Sequence, residues 1–318
     1  MKIVITGGAG FIGSYIVECF ASKSYVVSID VIDKMTYAAH EENLKFISNK
    51  EKVSLHKFDI LDQAKVRDLI KNKDVVIHAA AESHVDNSFE SSILFTKSNT
   101  LGTHILLEEC RKAELKKFLH ISTDEVYGEN NTEIPHDEKS HFNPSNPYSA
   151  SKAGAEMIVK SYIESYDMDI TIFRANNMYG SRQFPEKLIP KTICRLLQNK
   201  KAEIHGTGKN KRTFLHPLDF SKALELTILE QTQEKILNVG SEDEYCNIDI
   251  VKLICKKMGK NFDESVEFIK DRPFNDSRYY INYEKIQSYG WRQKRHIYND
   301  LDEIIEWYSK NLFRYKVV

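Results

Sequence analysis

The run Ser122-Thr123-Asp124-Glu125-Val126-Tyr127-Gly128 sets a hydroxyl and two carboxyls side by side. It follows Lys117-Phe118-Leu119-His120-Ile121, an apolar run that reads as a buried strand. Three polar side chains where such a strand ends are costly to bury without a task. A second constellation lies further on, in Asn146-Pro147-Tyr148-Ser149-Ala150-Ser151-Lys152, which opens a helix. Tyr148 and Lys152, four residues apart, share a helix face. An ammonium beside a phenol favours the phenolate and draws a tyrosine pKa down from ~10 toward working pH. A tyrosine so tuned takes a proton from an alcohol while a hydride leaves the same carbon. Thr123 adds a hydroxyl from a neighbouring strand end. The carboxyls of Asp124 and Glu125 add acid–base chemistry that a redox step alone does not need.

The elements that must bring these groups together begin at residue 2. Lys2-Ile3-Val4-Ile5-Thr6 is a short strand, and Gly7-Gly8-Ala9-Gly10-Phe11-Ile12-Gly13 leads from it into an amphipathic helix reaching about Lys23. Glycines at 7, 10 and 13 allow a tight turn and let a pyrophosphate approach the backbone at the helix N-terminus. The strand before and the helix after give this pattern its dinucleotide reading. A second strand, Tyr25–Ile29, should end at an acid that binds the adenosine ribose, and both Asp30 and Asp33 qualify. Either favours NAD over NADP, because a 2′-phosphate would be repelled. Val53–Phe58 is a third strand, ending at Asp59-Ile60 where adenine would lie. Asp74–His78 is a fourth, opening into the small residues Ala79-Ala80-Ala81-Glu82-Ser83 that suit close approach of a cofactor. His84 and Asp86 follow and are read as hydrogen-bonded structural groups.

Between Ser91 and Lys112 the spacing predicts a helix with Leu94, Leu101, Ile105 and Leu106 on one side, and Asp169–Arg174 is a further strand. Such alternation predicts an α/β fold, a Rossmann-type doubly wound parallel sheet covered on both faces. Residues 1–180 should form an NAD-binding domain carrying the catalytic groups. Residues 181–318 should form mainly a smaller α/β substrate domain, its segments interleaved with the first. A helix from Glu186 to about Asn199, a short strand Glu203-Ile204-His205 and a last helix of about Asn299–Asn311 belong to it.

Composition narrows the function classes. Lys+Arg number 45 against Asp+Glu 46, so no global charge points to nucleic acid or an anionic membrane surface, and an anionic substrate must be held by local basic residues. The cysteines at 19, 110, 194, 246 and 255 show no paired or zinc-type spacing and read as reduced thiols of a cytoplasmic protein, with no metal site. No apolar run approaches the ~20 residues that span a bilayer, and no signal peptide is apparent.

Taken together, the motifs resemble those of extended short-chain dehydrogenases/reductases, and more narrowly of nucleotide-sugar 4,6-dehydratases. The resemblance is carried by Gly7–Gly13, Ala80-Ala81-Glu82-Ser83-His84-Val85-Asp86, Ser122–Gly128, Tyr148-x-x-x-Lys152, Phe184–Pro190 and Asp271-Arg272-Pro273. It implies NAD as cofactor, held by Gly7, Gly10, Phe11, Ile12, Gly13, Lys34, Thr36, Asp59, Ile60, Ala79, Ala81 and Ser83 together with Tyr148 and Lys152. Because Asp33-Lys34-Met35-Thr36-Tyr37-Ala38 resembles the family's Asp-Lys-Leu-Thr-Tyr-Ala, it prefers Asp33 over Asp30 for the ribose. It also implies a dTDP- or UDP-glucose substrate held by Ser83, Thr123, Asn177, Glu186, Lys187, Leu188, Glu203, His205, Arg212, Asn247, Arg272 and Asn275. Arg212 is a natural diphosphate ligand by its planar fork. Asn247 also suits a helix N-cap, and Asn275 stands where the family more often has histidine. Tyr148, Thr123 and Lys152 would serve oxidation at sugar carbon 4, Glu125 would act as base at carbon 5 and Asp124 as acid at carbon 6. A 4-epimerase is the nearest rival, but it needs no carboxyl pair. The resemblance further implies a homodimer packed through the stretches at 91–112 and 149–165.

Overall fold

The structure, a computed structural model, describes residues 1–315 except Phe46, Gln231 and Pro273; the Pro273 of the Asp-Arg-Pro motif therefore lies outside the described residues. The strands are β1 (Lys2–Thr6), β2 (Ser28–Asp33), β3 (Val53–Lys57), β4 (Val75–His78), β5 (Lys117–Thr123), β6 (Ile170–Ala175), β7 (Asn177–Met178), β8 (Ala202–His205), β9 (Lys211–Leu215), β10 (Ile236–Val239), β11 (Glu244–Cys246) and β12 (Val266–Ile269). Seven of them form one parallel sheet in the order β10-β6-β5-β4-β1-β2-β3. The strands are apolar on both sides because helices cover both faces. Ile3 and Ile5 of β1, Val75 and Ile77 of β4, and Leu119 and Ile121 of β5 join one core. The intervening Val4, Val76 and Phe118 join the core on the other face. Two-residue side-chain periodicity thus builds a three-layer, doubly wound sheet.

Beyond the sheet, β11-β9-β7 and β12-β8 form two small sheets. The latter lies in a separate core with Ile189, Ile193, Ile250, Ile254, Leu301 and Tyr308. The chain does not leave the large sheet at residue 180. Helix Pro217–Leu229 packs on the first helix, Phe11–Ala21, and β10 extends the large sheet beside β6.

Three expectations shift. The second strand begins at Ser28 and runs on to Asp33, because Ile29 and Val31 are the buried residues while Val27 is exposed. Cys246, not Asn247, is the N-cap of the helix Asn247–Lys257, and Asn247 is its first residue. The helical stretch from Ser92 to Lys112 contains a π-helical segment at Thr96–Leu101. The wider π turn breaks the 3.6-residue phase, so Leu106 is buried while Leu94 and Leu101 face outward, 44% and 47% exposed.

Candidate active site

Reversal of strand order between β1 and β4 opens a crevice at the carboxyl ends of the strands, the expected place for a dinucleotide. A cavity of about 530 Å³ runs from there into the second core region. Its floor is the glycine turn. Gly7 sits at φ +69°, and a Cβ there would meet the Ala80 backbone at 2.8 Å, so strand-end loops after β1 and β4 close up only around glycine. Gly10 caps the first helix with no side chain and no acid follows in its first turn, leaving the helix N–H groups and dipole free for an anion. The residues therefore fit a pyrophosphate-bearing cofactor.

The two ribose candidates separate cleanly. Asp33 lines the cavity and is fixed by the backbone N–H groups of Ala9 (3.0 Å) and Met35 (2.9 Å). Asp30 is turned away, its carboxylate held by Lys73 and His56 at 2.5 and 2.8 Å. Gly7, Gly10, Phe11, Ile12, Gly13, Asp33, Lys34, Thr36, Asp59, Ile60, Ala79, Ala81 and Ser83 all line the cavity. Lys34 pairs with Glu82 at 3.0 Å across its edge.

Thr123 ends β5, and Asp124–Tyr127 form a single 3₁₀ turn capped by the Thr123 hydroxyl, which accepts from Glu125 N at 3.2 Å. Gly128, at φ +78° and against the Asn143 carbonyl, closes that turn where a side chain has no room. The helix carrying Tyr148 and Lys152 starts at a capping box: Asn146 accepts from Ser149 N at 2.9 Å and Pro147 takes the first position. A buried pair ties helix and strands together. Glu156 receives Arg174 of β6 through Nε (3.0 Å) and Nη2 (2.7 Å), and accepts the Ser122 hydroxyl at 2.5 Å. Nothing in the sequence spacing singled out this pair.

Thr123, Glu125, Tyr148 and Lys152 share the cavity wall; Asp124 does not. It lies just behind, 2% exposed, with Oδ1 accepting from the Thr123 hydroxyl (3.2 Å) and Oδ2 from Asn176 Nδ2 (2.7 Å). Burial and the Glu125 charge push its pKa up to about 7, so near neutrality Asp124 can hold a proton. Burial raises Glu125 as well, against the pull of Lys187 and Arg212. Asn146 Nδ2 and the Tyr279 hydroxyl both approach Glu125 Oε2 at 3.4 Å.

Tyr148 departs from expectation. Lys152 Nζ donates to the Ile121 carbonyl at 2.7 Å rather than to the phenol. Burial, with Glu125 and Asp124 nearby, raises the Tyr148 pKa instead of lowering it. Burial likewise brings Lys152 down to about 8. A phenolate at Tyr148 would need a further positive charge close to the ring.

Asn177, Glu186, Lys187, Leu188, Glu203, His205, Arg212, Asn247, Arg272 and Asn275 all line the cavity's far half. Lys187 Nζ donates to the Ser83 carbonyl at 2.8 Å, linking the two halves. Glu203 is held by Lys191 (2.7 Å) and Arg195 (3.0 Å). Arg212 donates to Asn275 Oδ1 at 3.1 Å and lies 4.8 Å over the Tyr279 ring. Arg272 is engaged by Asp86 at 2.7 Å, which gives that loop acid a partner the sequence did not suggest. Asn176, Asn146, Asp276 and Tyr279 were also missed. Asn146 carried a signal, as the polar residue before Pro147, whereas Tyr279 reaches Glu125 across 154 residues and carried none.

A parallel sheet with a glycine-turn cradle, and Thr123, Tyr148 and Lys152 gathered beside an adjacent carboxyl pair, mark the chain as a short-chain dehydrogenase/reductase. The chain belongs to the GDP-mannose 4,6 dehydratase family, whose profile matches residues 4–304. It is 39% identical to the dTDP-D-glucose 4,6-dehydratase of Dictyostelium discoideum, over 98% of this chain and 82% of that protein. It is 40% identical to a trifunctional UDP-glucose 4,6-dehydratase of Arabidopsis thaliana, covering 98% of this chain and 47% of that longer protein. Its fold superposes on the crystal structure of the dTDP-glucose 4,6-dehydratase DesIV of Streptomyces venezuelae, solved with NAD bound, at a TM-score of 0.94, 31% identity and 99% coverage of both chains.

Proposed function

We propose that the protein catalyses the NAD-dependent 4,6-dehydration of a nucleoside-diphosphate glucose, dTDP- or UDP-glucose, to the 4-keto-6-deoxy sugar. The observation that carries this reading is the carboxyl pair of Asp124 and Glu125 beside the Thr123–Tyr148–Lys152 set. An epimerase works with the redox set alone, so the pair argues for dehydration. The glycine turn, Asp33, Lys34, Thr36, Asp59 and Ile60 hold the cofactor. Bound NAD supplies the hydride acceptor and later donor, and its oxidised ring brings the positive charge that the Tyr148 phenolate needs.

Tyr148, with Thr123 and Lys152, takes the proton of the carbon-4 hydroxyl. The resulting ketone acidifies carbon 5, and Glu125 takes that proton and gives it back to carbon 5 when the hydride returns to carbon 6. Asp124, which can hold a proton near neutral pH, protonates the hydroxyl leaving carbon 6, either after releasing Asn176 or through the Thr123 hydroxyl. Two adjacent carboxyls can divide acid and base duties when their surroundings differ. Here Asp124 faces Asn176 and Thr123, while Glu125 faces Lys187 and Asn146, with Arg212 acting on both. Arg212, Arg272, Asn247 and Asn275 would hold the diphosphate, with Ser83, Asn177, Glu186, Lys187, Leu188, Glu203 and His205 around the sugar and base.

Residues 1–180 form the cofactor half in this reading and 181–318 mainly the substrate half, with 217–239 returning to the large sheet. The outward faces of helices 92–112 and 147–166, which pack side by side, expose Ile93 (71%), Leu101 (47%) and Met157 (48%). Such adjoining apolar surface supports a homodimer through these helices. Five cysteines, all free and four of them buried, support a cytoplasmic setting. No helix among the described residues is long and apolar enough to cross a membrane.

The deciding experiment is to incubate the purified protein separately with UDP-glucose and dTDP-glucose, and to follow the alkali-induced ultraviolet absorbance of a 4-keto-6-deoxy sugar. The faster substrate names the base. No product with either, from a folded protein, refutes the reading.

A further inference from the structure

Glu125 meets a second acidic centre that the reaction as outlined leaves unused. Asp276, 2% exposed, accepts the Ser145 hydroxyl at 2.9 and 2.7 Å on its two oxygens, and Oδ2 also takes a short hydrogen bond from the Tyr279 hydroxyl. That same hydroxyl lies 3.4 Å from Glu125 Oε2, where Asn146 Nδ2 also points. Both contacts fall on Oε2, and among the described residues Oε1 has no donor. The Tyr279 ring is 5% exposed and lies under the Arg212 guanidinium, so it cannot swing away freely.

We propose that Tyr279, anchored by Asp276, is a positioning residue for Glu125: it fixes Oε2 and thereby presents Oε1 to the substrate proton. The proposal rests on Glu125 being the base of the elimination step.

The physical case turns on one shared proton. A hydroxyl donating fully to Glu125 would stabilise its ionised form and make it a weaker base. Asp276 takes the Tyr279 proton in the shorter bond, so the 3.4 Å contact confines Oε2 beside Asn146 Nδ2 without lowering the basicity of Glu125. Asp276 also adds a negative charge that favours the protonated form of Glu125. The other charged and titratable groups facing Glu125 are Lys187 and Arg212, which oppose that effect, and Asp124 and Tyr148. An oriented carboxylate removes a carbon-bound proton faster than a rotating one, because reaction needs the acceptor lone pair aligned with the bond.

The test compares Tyr279→Phe, Asp276→Asn and Glu125→Gln, each checked for native circular dichroism, using whichever of UDP-glucose and dTDP-glucose the parent protein turns over. Stopped-flow nicotinamide absorbance reads oxidation, and keto-sugar formation reads the whole sequence. Tyr279→Phe keeps the ring under Arg212; it should leave oxidation and KM unchanged and slow elimination by about tenfold, below the 10²–10⁴ expected for loss of the base itself. Asp276→Asn turns the Tyr279 proton onto Glu125. The acid limb of the elimination pH profile should then move down by about one pH unit. A wild-type elimination rate in Tyr279→Phe, an equal loss of both steps, or an unmoved acid limb in Asp276→Asn each overturns the proposal. If Glu125→Gln still eliminates, the base assignment itself falls. If it reduces the cofactor and stalls while Tyr279→Phe behaves as wild type, only the role of Tyr279 falls.

Discussion

Replacing Asp124 by Asn should impair elimination and stabilise the fold at once, and the second effect can be sized from the structure. Burial and the Glu125 charge raise the Asp124 pKa from an ordinary 3.8 to about 7. That difference disfavours the ionised form by about 4 kcal/mol at 1.36 kcal/mol per pH unit. The folded state binds more protons than the unfolded chain between about pH 4 and pH 7, so stability falls as pH rises through that window and stays reduced above it. Asn is isosteric and uncharged, and it can still accept from Asn176. At pH 8 the Asp124→Asn protein should gain up to about 4 kcal/mol, or several degrees in Tm for a chain of this size. At pH 4 the gain should vanish.

Catalytically, reduced nicotinamide should accumulate while keto-sugar formation drops by about 10²–10⁴, as for loss of a positioned general acid. Scanning calorimetry at pH 4, 6 and 8 beside stopped-flow absorbance gives both readouts. A Tm gain independent of pH would show that Asp124 is not an ionised burden in the fold. Loss of the redox step together with elimination would show that it is not the acid.

Two further changes probe the frame. Glu156→Gln leaves Arg174 buried and half paired between β5, β6 and the Tyr148 helix; removing one partner of a buried pair costs about 3–5 kcal/mol, so Tm should fall sharply, and a Tm within a degree of wild type contradicts that role. Ile93→Lys with Leu101→Lys puts charge on the exposed apolar helix face, so if the proposed homodimer forms through that face, sedimentation should show a dimer for the parent protein and a monomer for the variant; a parent monomer or an unchanged dimer refutes that interface.

What could be read from the sequence was whatever the chain encodes locally. The β1–glycine–helix unit, the Thr-Asp-Glu turn and the Tyr-Lys pair each sit within a few residues of the backbone feature that positions them, so pattern and chemistry sufficed. Asp33 over Asp30 was a finer matter: the strand runs three residues beyond Asp30, and Lys73 and His56 claim that earlier acid. The phase of helix 92–112 was misread because a π turn leaves no mark in side-chain spacing. Spacing puts Tyr148 and Lys152 on one face, but it does not show that the phenol is buried beside Glu125 and Asp124, nor that a β5 carbonyl takes the ammonium.

The groups that surround the carboxyl pair come from still further away: Asn176 after β6, Asn146 before the helix, and Asp276 with Tyr279 near the end of the chain. Asn146 is placed by the capping box of its own helix and Asn176 by the end of β6, whereas Asp276 and Tyr279 depend on the packing of the second lobe against the first, which no local pattern records. In the proposed reaction the redox groups are set by one βαβ frame, whereas the surroundings of Glu125 are completed by Lys187, Arg212 and Tyr279 from the second half of the chain.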